Sequence, residues 1–380
     1  MAYTVLARRY RSRSFDQVVG QDAIAQTLRN AIEQERVAHA YLFVGTRGVG
    51  KTSMARIFAK ALNCPNDEPE DVARAIMEGG DSDVIEIDAA SNNKVEEARE
   101  LIANAVYRPL RGKNKIYIID EVHMLSKAAF NALLKTMEEP PSHVKFILCT
   151  TEAEKVPATI QSRCQRFDFR NISQTQIGEH LASVLEAEGV ESDTELVNMV
   201  ARMGAGSMRD ALSLLDRILA ATPSGETPTR ETLEKLFGLP PQDVILDMVE
   251  SLRDQDCKGT LECGDALLQR GITHEQVIGS LLDVLHSLLL VRTCGADSGL
   301  VDASGASRER LQELSGAFEP NALVHMMVLC ESVQGRLRHA AAPRALFDAL
   351  LVRLATTEQA AQAATLLQAS GSKGPPPKKA

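Results

Sequence analysis

No pair of cysteines in this chain has the spacing of a disulfide framework or of a metal-binding loop. The seven cysteines, Cys64, Cys149, Cys164, Cys257, Cys263, Cys294 and Cys330, are scattered and odd in number. That distribution suits a reduced, cytoplasmic compartment and small buried apolar side chains. The start, Met1-Ala2-Tyr3-Thr4-Val5, lacks a basic segment followed by an apolar core, so no signal peptide is expected. The longest apolar stretch, near Val277 to Val291, is interrupted by Asp283 and His286, and no membrane span is expected. An excess of positive charge is missing too. The formal net charge of −9 argues against indiscriminate nucleic-acid binding over the whole surface. No internal repeat is visible.

A length of 380 residues allows two or three domains, each large enough to bury a core. Charge is unevenly placed. Arg8, Arg9, Arg11 and Arg13 crowd the N-terminus, and Asp67, Glu68, Glu70 and Asp71 form an acidic patch. The arginines read either as a solvated arm or as a nucleotide or partner contact. The most informative segment runs from Phe43 to Ser53. Gly45, Gly50, Lys51 and Thr52 satisfy the phosphate-loop pattern G-x-x-x-x-G-K-[ST], with the apolar run Ala40–Val44 before it and a helix after it. Backbone N–H groups of Gly45, Thr46, Arg47, Gly48, Val49, Gly50 and Ser53 would surround phosphates at a helix N-terminus. Lys51 would reach the β- and γ-phosphates, and the Thr52 hydroxyl would sit on Mg²⁺.

From residue 20 to about 170, strand-like and helical stretches alternate, the pattern of an α/β fold with a parallel sheet. Strands are expected at Tyr41–Val44, Val84–Asp88, Lys115–Ile119 and Lys145–Thr150. Helices are expected at Gln21–Gln34, Thr52–Leu62, Val95–Val106 and Lys127–Glu138. Beyond residue 171 the chain reads as all-helical. A small lid-like block covers 173–238 and a second block, 239–368, carries a broad apolar stripe through Val277, Ile278, Leu281, Leu285 and Leu288. Residues 369–380 read as a disordered tail. The nucleotide-binding domain would then be 1–172.

Asp120 and Glu121 end the apolar run Ile116–Ile119, so one carboxylate could hold Mg²⁺ and the other polarise an attacking water. Thr150 and Thr151 end the next strand and could bond the γ-phosphate. Arg163 and Arg209 are placed to neutralise phosphate charge or to form surface ion pairs.

These segments, with Leu6-Ala7-Arg8-Arg9-Tyr10-Arg11, Phe15–Gln21, Ile85–Asn92, Phe130–Lys135, Glu138–Pro141, Ser162-Arg163-Cys164 and Gly206–Asp210, resemble in order the AAA+ ATPases of the clamp-loader type. The resemblance is close over 3–220 and looser through the helical block. It implies an AAA+ domain, a helical lid and an oligomerisation collar. It also implies an ATP- and Mg²⁺-using subunit of a pentameric loader that acts on a sliding clamp and primed DNA with other loader subunits. It casts Arg163 as a finger reaching a neighbour's nucleotide, Arg209 as the second sensor and Thr151 as the first. Ala7, Arg11 and Val19 would lie near adenine, and Ser91, Asn92 and Lys94 would face DNA. One departure concerns zinc. Relatives join the cysteine at the Cys64 position to a downstream cysteine run, whereas Pro65–Asp83 has no cysteine or histidine, so no zinc is expected. Ser12 and Asp348 replace a usual proline and glutamate. Two other readings are an assembly subunit using nucleotide only as a latch, against which the complete motif set speaks, and a branch-migration motor, which the Ser-Arg-Cys segment and long helical block disfavour.

Overall fold

The structure, a computed structural model, describes residues 4–67, 69–90, 107–191, 193–223, 225–296, 298 and 305–357. The chain divides into two compact units between Ala220 and Ala221, inside the 173–238 segment. The expected helix Val95–Val106 and the sites Ser91, Asn92 and Lys94 lie outside the described residues, as does the 369–380 tail.

In the N-terminal unit a five-stranded sheet has the order β2-β3-β4-β1-β5. The strands are β1 Ala40–Val44, β2 Val84–Asp88, β3 Lys115–Asp120, β4 Val144–Thr150 and β5 Gln165–Asp168, and every pairing is parallel. Side chains alternate across a strand, and here each face meets its own helical layer. Tyr41, Phe43, Ile116, Ile118, Ile147 and Cys149 pack with Leu28 of the Asp22–Glu33 helix and with Met54 and Phe58 of the Lys51–Asn63 helix. Ala40, Leu42, Tyr117, Ile119, Phe146 and Leu148 pack instead with Phe130, Leu133 and Met137 of the Lys127–Glu138 helix. Strands buried on both faces need nearly continuous apolar runs, which β1, β3 and β4 have.

Two elements were not anticipated from the sequence. β5 is a polar edge strand whose Gln165, Arg166 and Asp168 are exposed, so it carries none of the apolar run that marks the inner strands. The acidic stretch after Cys64, where no helix was expected, contains one over Glu70–Glu78 that buries Val72, Ala73 and Ile76 on one face. Further helices among the described residues of the unit include Gln174–Ala187, Thr194–Met203 and Met208–Ala221. The first starts at a capping box in which Ser173 and Gln176 satisfy each other's free backbone N–H groups.

The described part of the C-terminal unit is helical, with helices at Arg230–Phe237, Gln242–Arg253, Cys257–Gln269, His274–Cys294, Gly305–Ser315, Pro320–Leu337 and Pro343–Ala355. The His274–Cys294 helix is long and apolar enough to cross a membrane by length and composition. Its Val277, Ile278, Leu281, Leu285 and Leu288 are nonetheless buried in the unit's own core with Leu323, Met326, Phe347 and Leu351. A capping box of Thr273 and Gln276 fixes its start.

Leu285→Ala removes a fully buried side chain at the centre of that core and should destabilise the C-terminal unit by about 2–5 kcal/mol. Thermal or urea unfolding of the full chain measures this, and an unchanged transition would contradict the assigned packing.

Candidate functional site: a phosphate loop at the strand ends

The register of the sheet decides which side chains meet. β4 lies between β1 and β3, with Val44 opposite Thr150 and Ile119 opposite Leu148. The carboxyl ends of three adjacent strands therefore open at one level, where ligands of open parallel sheets bind. Gly45 N–H donates to the Thr150 carbonyl at 3.1 Å, extending the pairing into the loop. The loop then turns through Gly48, φ +80°, and Gly50, φ +99°, conformations that side-chain-bearing residues rarely adopt. Space adds a second restriction at Gly48, since a Cβ there would collide with Ser207 Oγ.

Lys51 opens the helix that follows and is 6% exposed. Its ammonium donates to the carbonyls of Gly45 at 2.7 Å and Thr46 at 2.8 Å. Burial lowers the Lys51 pKa, with Cys149, Glu121 and Asp120 acting in the opposite direction. One residue on, Thr52 Oγ1 donates to Asp120 Oδ2 at 2.6 Å, and the other carboxylate oxygen accepts the Glu121 N–H at 3.0 Å. The structure thus brings the two motifs together through a direct bond across 68 positions of sequence.

Glu121 has φ +47°, a left-handed conformation uncommon outside glycine and asparagine. Such strain is found where surrounding structure holds a side chain for a task. Here the carboxylate accepts from Thr151 Oγ1 at 3.2 Å. Thr150 does something else. Its hydroxyl lies 3.0 Å from His123 Nδ1 and accepts the Glu152 N–H at 3.0 Å. His123 also stands 3.5 Å from Glu121 and, through Nε2, 3.3 Å from Glu152. Its place was not legible in the sequence, because only the fold brings it beside the end of β4.

Ala7, Arg11, Val19, Arg47, Gly48, Val49, Gly50, Lys51, Thr52, Ser53, Asp120, Glu121 and Arg209 line one pocket. Tyr10, Val18, Ile172, His180, Met208 and Leu212 line it as well, and they were not singled out from sequence. Val18, Ile172, Met208 and Leu212 give the pocket apolar lining beside the charged loop. Thr46 is directed elsewhere, with its hydroxyl donating to Asn171 Oδ1 at 2.6 Å. Arg209 sits in the first turn of the Met208–Ala221 helix, its N–H reaching the Gly48 carbonyl at 3.5 Å. Ser207 Oγ accepts the Asp210 N–H at 3.2 Å and so caps that turn. Burial lowers the Arg11 pKa, and Arg56, Arg209 and Arg8 push the same way against Glu86. Burial likewise lowers that of His180.

Arg163 is not part of this pocket. Its guanidinium bonds the Thr159 carbonyl and the Glu138 carboxylate, each at 2.8 Å, on a partly exposed surface of the same unit.

A phosphate loop after β1, an Asp-Glu pair ending β3 and an intervening β4 make this a P-loop unit of the AAA+ class. Three family models match in succession. They are the DNA polymerase III delta subunit over residues 20–173, the DNA polymerase III clamp loader subunit ATPase lid domain over 176–223, and DNA polymerase III subunits gamma and tau domain III over 229–369. The DNA polymerase III subunit gamma of Buchnera aphidicola subsp. Baizongia pistaciae is 36% identical over 298 residues, 77% of this chain and 80% of that protein. The chain belongs to the gamma/tau subunit family of DNA polymerase III. It is also 40% identical to the tau subunit of Bacillus subtilis over 94% of its own length, and 41% identical to that of Escherichia coli K12 over 84%. It spans 64% and 50% of the lengths of those two relatives.

Gly48→Ala combines an unfavourable φ with the Ser207 collision, and should weaken binding of a fluorescent ATP analogue by about tenfold or more. Fluorescence anisotropy titration measures it, and wild-type affinity would show that the loop is not held as described.

Proposed function

We propose that this chain is an ATPase motor subunit of the bacterial replicative clamp loader. Within the DNA polymerase III holoenzyme in the cytoplasm, it uses ATP binding and hydrolysis to open the sliding clamp and load it on primed DNA. The observation that carries this reading is the convergence of Lys51, the Thr52–Asp120 bond and the Glu121–Thr151 bond at the ends of adjacent parallel strands. Family membership supports the wider setting.

The donors suit ATP with Mg²⁺. Thr52 Oγ1 and Asp120 Oδ2 are hard oxygen donors 2.6 Å apart at the helix start, the ligand chemistry Mg²⁺ prefers. Mg²⁺ supplies charge neutralisation on the phosphates when bound. Lys51 exchanges two carbonyl acceptors for phosphate oxygens, and the apolar end formed with Ala7, Val18 and Val19 takes the adenine. Glu121 orients the attacking water and accepts its proton. Thr151, through its bond to Glu121, senses whether the γ-phosphate is present. Arg209 reaches the phosphates from the lid side. No zinc is assigned to Cys64, which has no cysteine or histidine among the nineteen positions that follow it.

Arg163 acts on a neighbouring subunit's nucleotide, which accounts for its position away from this chain's own pocket. Ser91, Asn92 and Lys94 face primed DNA. The ring is a pentamer with other loader subunits, built on the 239–368 collar, with 173–238 as lid and 1–172 as nucleotide-binding domain.

Glu121→Gln should retain ATP binding and lower turnover by about 10²-fold or more in the loader mixed with clamp and primed DNA. Undiminished phosphate release would remove Glu121 from the proposed role. Arg163→Ala separates an in-trans role from a structural one. Activity of the assembled loader should fall by about 10³-fold, while the slow turnover of strictly monomeric chain, confirmed by light scattering, stays at its wild-type level. An equal loss in the monomer would sink the in-trans assignment.

A further inference from the structure

A second cavity lies on the N-terminal unit, with a volume of about 1010 Å³. Among the described residues its wall carries eight cationic side chains against three carboxylates, in a protein whose formal net charge is −9. The imbalance is sharper once ion pairs are counted out. Lys60 bonds Asp67 at 2.7 Å and Arg74 bonds Glu70 at 3.2 Å, so two of the three lining carboxylates are already matched. Arg9 pairs with Glu188 at 2.5 Å, and Arg56 is held by Glu86 through two bonds at 2.6 and 2.8 Å. Arg8, Arg11, Arg13 and Arg209 have no carboxylate partner among the described residues, and Glu78 is the remaining lining acid.

Four guanidinium groups left unmatched around one concavity repel one another and lose that cost when an anion enters. Burial lowers the pKa of Arg11, and Arg56, Arg209 and Arg8 add to the shift against the opposing Glu86. Guanidinium forks match phosphate oxygens with two parallel hydrogen bonds. Among the described residues no phenylalanine or tyrosine lines the cavity, so its contacts to an anion are guanidinium and ammonium groups rather than aromatic rings. That lining suits phosphate groups. Ala7, Arg11 and Arg209 line both this cavity and the phosphate-loop pocket. The two concavities therefore share a wall that includes two of the four unmatched arginines.

We propose that this cavity is a second anion site that takes a free inorganic oligophosphate, of the pyrophosphate or tripolyphosphate kind, alongside the nucleotide. Binding draws Arg11 and Arg209 toward the second anion and weakens their hold on the nucleotide, a negative coupling that must be reciprocal. The coupling rests on the nucleotide reading above, whereas the binding does not.

The test is a calorimetric titration of tripolyphosphate into the full chain at fixed ionic strength, with magnesium in excess and the phosphate loop saturated with ADP. A saturable isotherm is expected. Its affinity should fall about tenfold or more in Arg8→Ala/Arg13→Ala, two exposed positions that lie outside the nucleotide pocket. ADP affinity in that variant, measured alone, should stay within about twofold of wild type, and circular dichroism should show the same fold. No isotherm with ADP bound, equal affinity in the variant, or saturable binding of a single-stranded oligonucleotide without binding of tripolyphosphate would each overturn the proposal. Failure of ADP itself to bind would instead strike the nucleotide reading.

Discussion

The arrangement of this protein depends on the parallel pairing of β4 with both β1 and β3. With Val44 opposite Thr150 and Ile119 opposite Leu148, three strands finish together. A shift of one residue in either ladder would turn every apolar side chain to the opposite face and separate Thr52 from Asp120. The site is thus specified by the same contacts that specify the core. Tyr41, Phe43 and Ile147 on one side, and Leu42, Phe146 and Leu148 on the other, hold the register. Catalytic geometry built on such strands inherits their rigidity.

The inner strands and the phosphate loop were readable because their physical demands leave a mark at fixed spacing. A strand buried on both faces must be apolar throughout, and a backbone cradle must have glycine where φ is positive. β5 left no such mark, since an edge strand with one paired side can remain polar. The Glu70–Glu78 helix was obscured by its own solvent face, although Val72, Ala73 and Ile76 carry the helical period. His123, Tyr10 and His180 belong to the site through tertiary contact, and nothing local distinguishes a histidine that meets a distant threonine from one that does not. The long apolar stretch around Leu281 shows the converse. Asp283 and His286 already spoke against a bilayer helix there, and the core of the C-terminal unit shows what those apolar side chains pack against.

Charge is handled differently by the acids and by the arginines that line the phosphate-loop pocket. Around Asp120 and Glu121 the carboxylates have hydroxyl and backbone donors, so their negative charge is arranged rather than cancelled. Arg11 and Arg209 make no ion pair among the described residues, although Glu86 acts on Arg11 against the neighbouring arginines. The pocket thus combines acids held by neutral donors with arginines that have no ion-pair partner among the described residues.

Lys51 already donates to the Gly45 and Thr46 carbonyls. The loop is consequently closed upon itself by an internal cation, which stands where an incoming anion would otherwise have to organise it. Ligand entry becomes a swap of acceptors on a single ammonium. The gain is small for any one oxygen, and grows only when several arrive joined in one molecule.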